Sequence, residues 1–185
     1  MTPTEAIPDI QAKQPTSAPI WPCRLHQVLK ARAVRQVSYV PDAGHAILID
    51  LLINDPDMTT NVLTTEEEGI AIATGAWLGG QRAAVLMQSS GAGNCINMLS
   101  LAVQTRTPLL LLITMRGQWG EFNPWQVLMG QATEPALRAV GVTVFHATTA
   151  EDVIATVDQA AGMAFEADQQ IAVLIDQRVL GEKKW

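Results

Sequence analysis

Six short apolar runs recur along this chain at close to even intervals, and longer stretches with helical spacing separate them. The runs fall at 35–40, 61–65, 83–88, 109–114, 142–147 and 171–176. The helical segments fall at 22–33, 43–54, 67–79, 93–106, 124–140 and 150–168. Within a run the apolar residues follow one another with little alternation, as in Leu109-Leu110-Leu111-Leu112-Ile113. A strand that shows no alternation is covered on both faces. Strands that alternate with helices need crossover connections, which are right-handed and parallel. The expected fold is therefore α/β: a doubly wound, mainly parallel sheet of about six strands with helices on both faces.

That fold directs attention to one edge. Open parallel sheets bind ligands beyond the carboxyl ends of their strands, which here means the loops at 41–45, 65–69, 89–94, 115–123 and 148–151. A formal net charge of −6 and a pI near 4.9, with no basic run, argue against nucleic acid or an anionic membrane as partner. No apolar stretch has the roughly 18 residues of a membrane helix, and the start lacks the basic-then-apolar order of a signal peptide. The two cysteines, Cys23 and Cys95, form no C-x-x-C pair, so a cytoplasmic chain without zinc or disulfide scaffold is expected. Residues 1–20 hold Pro3, Pro8, Pro15 and Pro19, which predicts a flexible tail ahead of a single domain over 21–185.

The candidate loops differ in what they offer. Glu66, Glu67 and Glu68 open a helical segment, where acids oppose the macrodipole. Alternatively, one of them at the strand end is a buried general acid/base. The stretch Gln88-Ser89-Ser90-Gly91-Ala92-Gly93-Asn94 is neither a full G-x-G-x-x-G nor a Walker loop. It reads as a tight packing turn, or as a place where a ligand meets backbone at a helix opening near Gly93. The loop 115–125 carries Trp119, Phe122 and Trp125, which either fold back on the domain or form a contact surface. Its one arginine, Arg116, is a candidate for gripping an oxyanion. His45 and His146 lie at the ligand-bearing edge and His26 on the first helix, but no two are spaced as a metal pair.

Together these loops resemble a known family. Thr64 through Ala76, with Glu66 nine residues before Gly75, is followed by Met87 to Asn94 and then by Thr107 to Thr114. This order is similar to the pyrimidine-binding domain of thiamine diphosphate enzymes. Within that family the likeness is to the alpha subunit of sulfopyruvate decarboxylase and the first half of phosphonopyruvate decarboxylase. It rests on Val40-Pro41-Asp42, Glu66 to Gly69, Gln88 to Asn94, Met115-Arg116-Gly117 and Met129-Gly130. Ala43 stands where the pattern has serine, and the loop 122–126 is bulkier and less acidic than in the phosphonopyruvate enzymes.

The resemblance implies a subunit of a 2-oxo acid decarboxylase. In it Glu66 hydrogen-bonds N1′ of the cofactor's aminopyrimidine, beside Ser90, Gly91, Gly93 and Asn94. His45, Gln88, Arg116 and Gln126 become candidates for contacting substrate. The chain has no Gly-Asp-Gly…Asn stretch of the kind that holds magnesium and diphosphate in this family. A beta subunit is expected to supply that site, in an α2β2 or larger assembly, with no metal ligands from this chain. Three other readings stay open. One is a carboligase or lyase acting on an apolar or aromatic 2-oxo acid or aldehyde, and another a non-catalytic regulatory subunit. The third, a flavodoxin-like module, is opposed by Pro41-Asp42-Ala43-Gly44-His45 after the first strand, where a Ser/Thr-rich phosphate loop would stand.

Overall fold

Central strands lie under helices on both faces, so their residues are mostly apolar and buried. In a computed structural model, which describes residues 20–181, the six strands are β1 Val34–Tyr39, β2 Thr59–Val62, β3 Arg82–Gln88, β4 Leu109–Thr114, β5 Thr143–Ala147 and β6 Gln170–Ile175. They form one sheet in the order β2-β1-β3-β4-β6-β5, and every neighbouring pair is parallel. All residues of β4 are buried, whereas edge strand β2 has none. Apart from Ile20, the Pro-rich stretch 1–20 lies outside the described residues, as do 182–185.

The helices are α1 Trp21–Ala31, α2 Ala46–Ile53, α3 Glu66–Leu78, α4 Ser89–Cys95, α5 Leu99–Thr105, α6 Pro124–Ala139, α7 Ala150–Glu166 and α8 Gln177–Leu180. Alternate residues of each strand enter opposite layers. Leu86, Leu110 and Leu112 meet α1, α2 and α7 through Leu25, Leu29, Leu48, Leu52 and Val157. Val85, Met87, Leu111 and Ile113 meet the other helix layer through Ile70, Cys95, Leu99 and Leu137. This is the doubly wound parallel sheet that the alternation predicts. Among the described residues no helix is long and apolar enough to cross a membrane.

Two local expectations are corrected. The second strand covers 59–62, not 61–65, because an exposed edge strand carries no apolar run to mark it. Leu63 still donates its N–H to the Tyr39 carbonyl, and the chain then turns into α3. The helix expected over 93–106 is two helices, α4 and α5. Helix α4 begins directly at Ser89, so Gly91 and Gly93 are helical and do not form a turn. Their low intrinsic helix propensity hides the element in the sequence.

Candidate active site at the carboxyl edge

The extended segment after β2 delivers Glu66 as the first residue of α3, with Thr65 before it at φ −145° and ψ 156°. Glu67 and Glu68 serve the helix start: Glu67 accepts the Thr65 hydroxyl, and Glu68 Oε2 accepts the Thr64 N–H at 2.9 Å. Glu66 points inward instead and is only 7% exposed. Its Oε2 accepts Asn94 Nδ2 at 2.8 Å, and no cation pairs with it among the described residues.

Helix α4 makes the room for that carboxylate. A Cβ on Gly91 would stand 2.2 Å from Glu66 Oε1 and 2.4 Å from its carboxyl carbon. Glycine is the only residue that leaves space there. Gly93 is one helical step further on, 3.4 Å by its absent Cβ from the methyl of Met129 on α6. Cys95 closes the inner side; burial, reinforced by the Glu66 charge, pushes its thiol up to about 12. The thiol therefore stays protonated, and it donates to the Gly91 carbonyl at 3.6 Å. Ser90 and Gln88 are half-buried beside this group, and neither side chain hydrogen-bonds to another described residue.

Two further loops brace α4. Ser89 Oγ accepts the Arg116 N–H at 3.1 Å, and the Thr133 hydroxyl donates to the Ser89 carbonyl at 3.2 Å. Gly117, at φ +74°, and Gly130 permit backbone contact between α6 and the loop after β4. A Cβ on Gly130 would lie 2.5 Å from the Arg116 carbonyl oxygen. The motifs Arg116-Gly117 and Met129-Gly130 thus meet in space as one packing joint. Gln126, half-buried in the first turn of α6, has a buried Oε1 with no hydrogen-bond partner.

Arg116 is not presented to solvent. Its guanidinium donates twice to Glu121, at 2.6 Å each, and that carboxylate also accepts Gly117 N–H, Asn123 N–H and Gln177 Nε2. Arg116 holds the Glu121 carboxyl down to about 2. An anion-gripping role for Arg116 is thereby revised to one of ordering its own loop. His45 is likewise enclosed, with no exposed surface. Its Nε2 donates to the Leu112 carbonyl at 3.1 Å, while Nδ1 has no partner. Burial lowers its pKa, against the opposing charge of Asp42. Asp42 itself accepts the Thr114 hydroxyl at 2.5 Å.

The structure thus gathers Glu66, Ser90, Gly91 and Asn94 in one place, and keeps His45 and Arg116 as enclosed supports. Sequence reasoning missed Glu121, Gln177 and Arg178. Only Glu121, an acid five residues after Arg116 in the same loop, had a local signal. The aromatic residues divide: Trp119 and Phe122 lie near Arg178 and Arg116 at 5.8 and 5.6 Å from ring centroid to guanidinium carbon. Trp125, at 87%, and Leu128, at 71%, stand exposed on the first turns of α6. Among the described residues no group of three or more His, Cys, Asp or Glu could hold a metal ion.

At this edge, then, a buried glutamate opens the helix after an edge strand and fits into a glycine gap of the neighbouring helix. Residues 40–184 match the thiamine diphosphate-binding family of pyruvate flavodoxin/ferredoxin oxidoreductases, and the chain belongs to that family. Among curated relatives it is similar to sulfopyruvate decarboxylase subunit alpha of Methanococcus maripaludis, 35% identical over 141 residues, covering 76% of this chain and 84% of the relative. The same subunit of Methanocaldococcus jannaschii is 31% identical over 153 residues, covering 82% and 90%. Phosphonopyruvate decarboxylase of Streptomyces viridochromogenes is 39% identical over 107 residues, only 27% of its own length.

Among solved structures, the 2-oxoglutarate:ferredoxin oxidoreductase of Magnetococcus marinus superposes with a TM-score of 0.67 at 14% identity, over 86% of this chain and 29% of that one. The 4-hydroxybenzoylformate decarboxylase of Rhodococcus jostii also gives 0.67, at 18% identity, over 88% and 31%. These two likenesses establish the fold. The sequence relatives place the chain among thiamine diphosphate-dependent decarboxylases related to the sulfopyruvate and phosphonopyruvate enzymes.

Proposed function

We propose that this chain is the alpha subunit of a heteromeric thiamine diphosphate-dependent 2-oxo acid decarboxylase, of sulfopyruvate or phosphonopyruvate type. One observation carries the reading: Glu66 is buried without a cation, held by a single neutral donor, in a space that only a glycine at position 91 leaves open. A carboxyl group so placed can keep a proton on its second oxygen, provided that a partner accepts it in a hydrogen bond. The N1′ lone pair of an aminopyrimidine would be such an acceptor.

The donor set fits the cofactor's pyrimidine. Glu66 Oε1 would hold a proton toward N1′, and Asn94 fixes the carboxylate by occupying Oε2. Gly91, Gly93 and Ser90 would line the ring, and Gln88 would face substrate from the end of β3. Bound there, thiamine diphosphate supplies the electron sink that lets a 2-oxo acid release carbon dioxide. The chain's own task is to orient the ring, exclude water from Glu66 and move a proton at N1′. A beta subunit would bring magnesium and the diphosphate site. Exposed Trp125 and Leu128, together on the first turns of α6, offer an apolar surface that such a partner could cover.

A second reading has its own observation. With Arg116 bound to Glu121, and Trp119 and Phe122 on the surface of the same loop, the site also suits a substrate with an apolar or aromatic tail.

The test is reconstitution with the beta chain, titrated with thiamine diphosphate and magnesium, and compared with the chain alone. Cofactor binding that needs both chains, followed by carbon dioxide release from a 2-oxo acid, supports the proposal. Glu66→Gln should lower turnover by roughly 10²- to 10⁴-fold while the complex still assembles. Near-normal turnover in that variant overturns the role of Glu66. Assembly without any turnover favours a regulatory subunit.

A further inference from the structure

We propose that Arg178, set over the Trp119 ring, binds the anionic far end of the substrate, a tetrahedral oxyanion of the sulfonate or phosphonate class. This rests on the decarboxylase reading above. Among the described residues the cations at the carboxyl edge of the sheet are few, and the others are engaged or enclosed. Arg116 is spent on Glu121 at 2.6 Å. His146 pairs with Glu134 at 3.0 Å. His45 is enclosed beneath the edge. Arg178 is exposed, and of these groups it is the one that makes neither an ion pair nor a side-chain hydrogen bond among the described residues.

Its surroundings are built rather than loose. Gln177 Oε1 accepts the N–H groups of Gln118 and Trp119 at 2.9 and 3.0 Å, and Gln118 Oε1 accepts Gln177 N–H at 3.0 Å. This reciprocal clasp fixes the residue before Arg178 to the residues that present Trp119. The guanidinium carbon lies 5.8 Å from the indole centroid. A cation–π contact takes up none of the guanidinium's N–H donors, which stay available for an oxyanion's paired oxygens. Asp176, the nearest acid in sequence, spends Oδ1 on the Arg178 backbone N–H at 2.8 Å.

Both ends belong to one edge. Arg178 follows β6, and Gly91 follows β3, two positions away in the sheet, so with strands about 4.8 Å apart those two carboxyl ends are separated by roughly 10 Å.

The experiment compares wild type, Arg178→Gln, Arg178→Lys and Trp119→Ala, each assembled with the beta chain. Steady-state rates are measured with sulfopyruvate, with pyruvate, which lacks the second anion, and with benzoylformate. Expected is a KM for sulfopyruvate raised about 10- to 100-fold in Arg178→Gln, the effect of losing one charged contact. The kcat should stay within a few-fold, pyruvate kinetics should not change, and Arg178→Lys and Trp119→Ala should fall between. An unchanged sulfopyruvate KM overturns the inference. So does an equal loss on pyruvate, or failure of Arg178→Gln to assemble, which would make Arg178 a subunit contact. If wild type acts on benzoylformate but not sulfopyruvate, the decarboxylase reading stands and this inference falls. If the loaded complex decarboxylates none of the three, both fall.

Discussion

Glu66 and Gly91 occupy adjoining space so closely that a single added methyl at position 91 would sit 2.2 Å from the glutamate's Oε1. An alanine in place of a helical glycine ordinarily gains about 1 kcal/mol. Here the sign should reverse. Gly91→Ala should lower the melting temperature and abolish cofactor-dependent turnover, because either α4 or the Glu66 side chain has to move. A stabilised and active Gly91→Ala protein, seen by thermal melt and assay, would remove the glycine gap from the account.

The Arg116–Glu121 pair predicts an acid-labile loop. Glu121 takes a proton at about 2 in the fold, against 4.5 for an ordinary glutamate. Between those values the unfolded chain binds more protons than the folded one. The stabilisation is therefore complete above pH 4.5 and drains away as the pH falls toward 2. Asp55, paired with Lys30 and His26, is lowered to about 2 as well, so total stability alone does not isolate the loop. The difference between wild type and Glu121→Gln does. Tryptophan fluorescence should report loosening in this window in wild type, whereas Glu121→Gln should be loose already at neutral pH.

His45 works at milder acidity. Burial lowers its pKa from 6.5, so the fold holds the ring neutral where the unfolded chain would protonate it. Its contribution is present above pH 6.5 and is progressively lost below. Urea midpoints measured at pH 8 and pH 5.5 should fall further for wild type than for His45→Gln, which keeps a donor for the Leu112 carbonyl. Equal falls would show that His45 does not carry the dependence.

Trp125 and Leu128 make a prediction about assembly. Both are largely exposed, so Trp125→Ser with Leu128→Ser should leave the chain's stability within about 0.5 kcal/mol. The complex with the beta chain should weaken by about tenfold or more, read by titration or sedimentation. A partner affinity unaffected by the double substitution would place the contact elsewhere on the chain.

How far these features were legible in the residues depended on whether their cause was local. Strand β4 lies at Leu109–Thr114, as its uninterrupted apolar run predicts, since a central strand has only apolar neighbours on both faces. Strand β2 was displaced because its exposed residues carry no such run. Helix α4 was masked by its own glycines, whose purpose is visible only once Glu66 stands against them. Arg116 was read as available because its capture by Glu121 is a matter of loop geometry, not of composition.

The order of apolar and polar residues alone was enough to determine a parallel, twice-covered sheet and the strand ends from which its loops leave. These follow from period and burial, which each stretch of chain expresses by itself. Only the tertiary structure decided which charges remain unpaired. The partners that settle it, such as Glu121 and Gln177, 56 positions apart, meet in the fold and nowhere in the sequence.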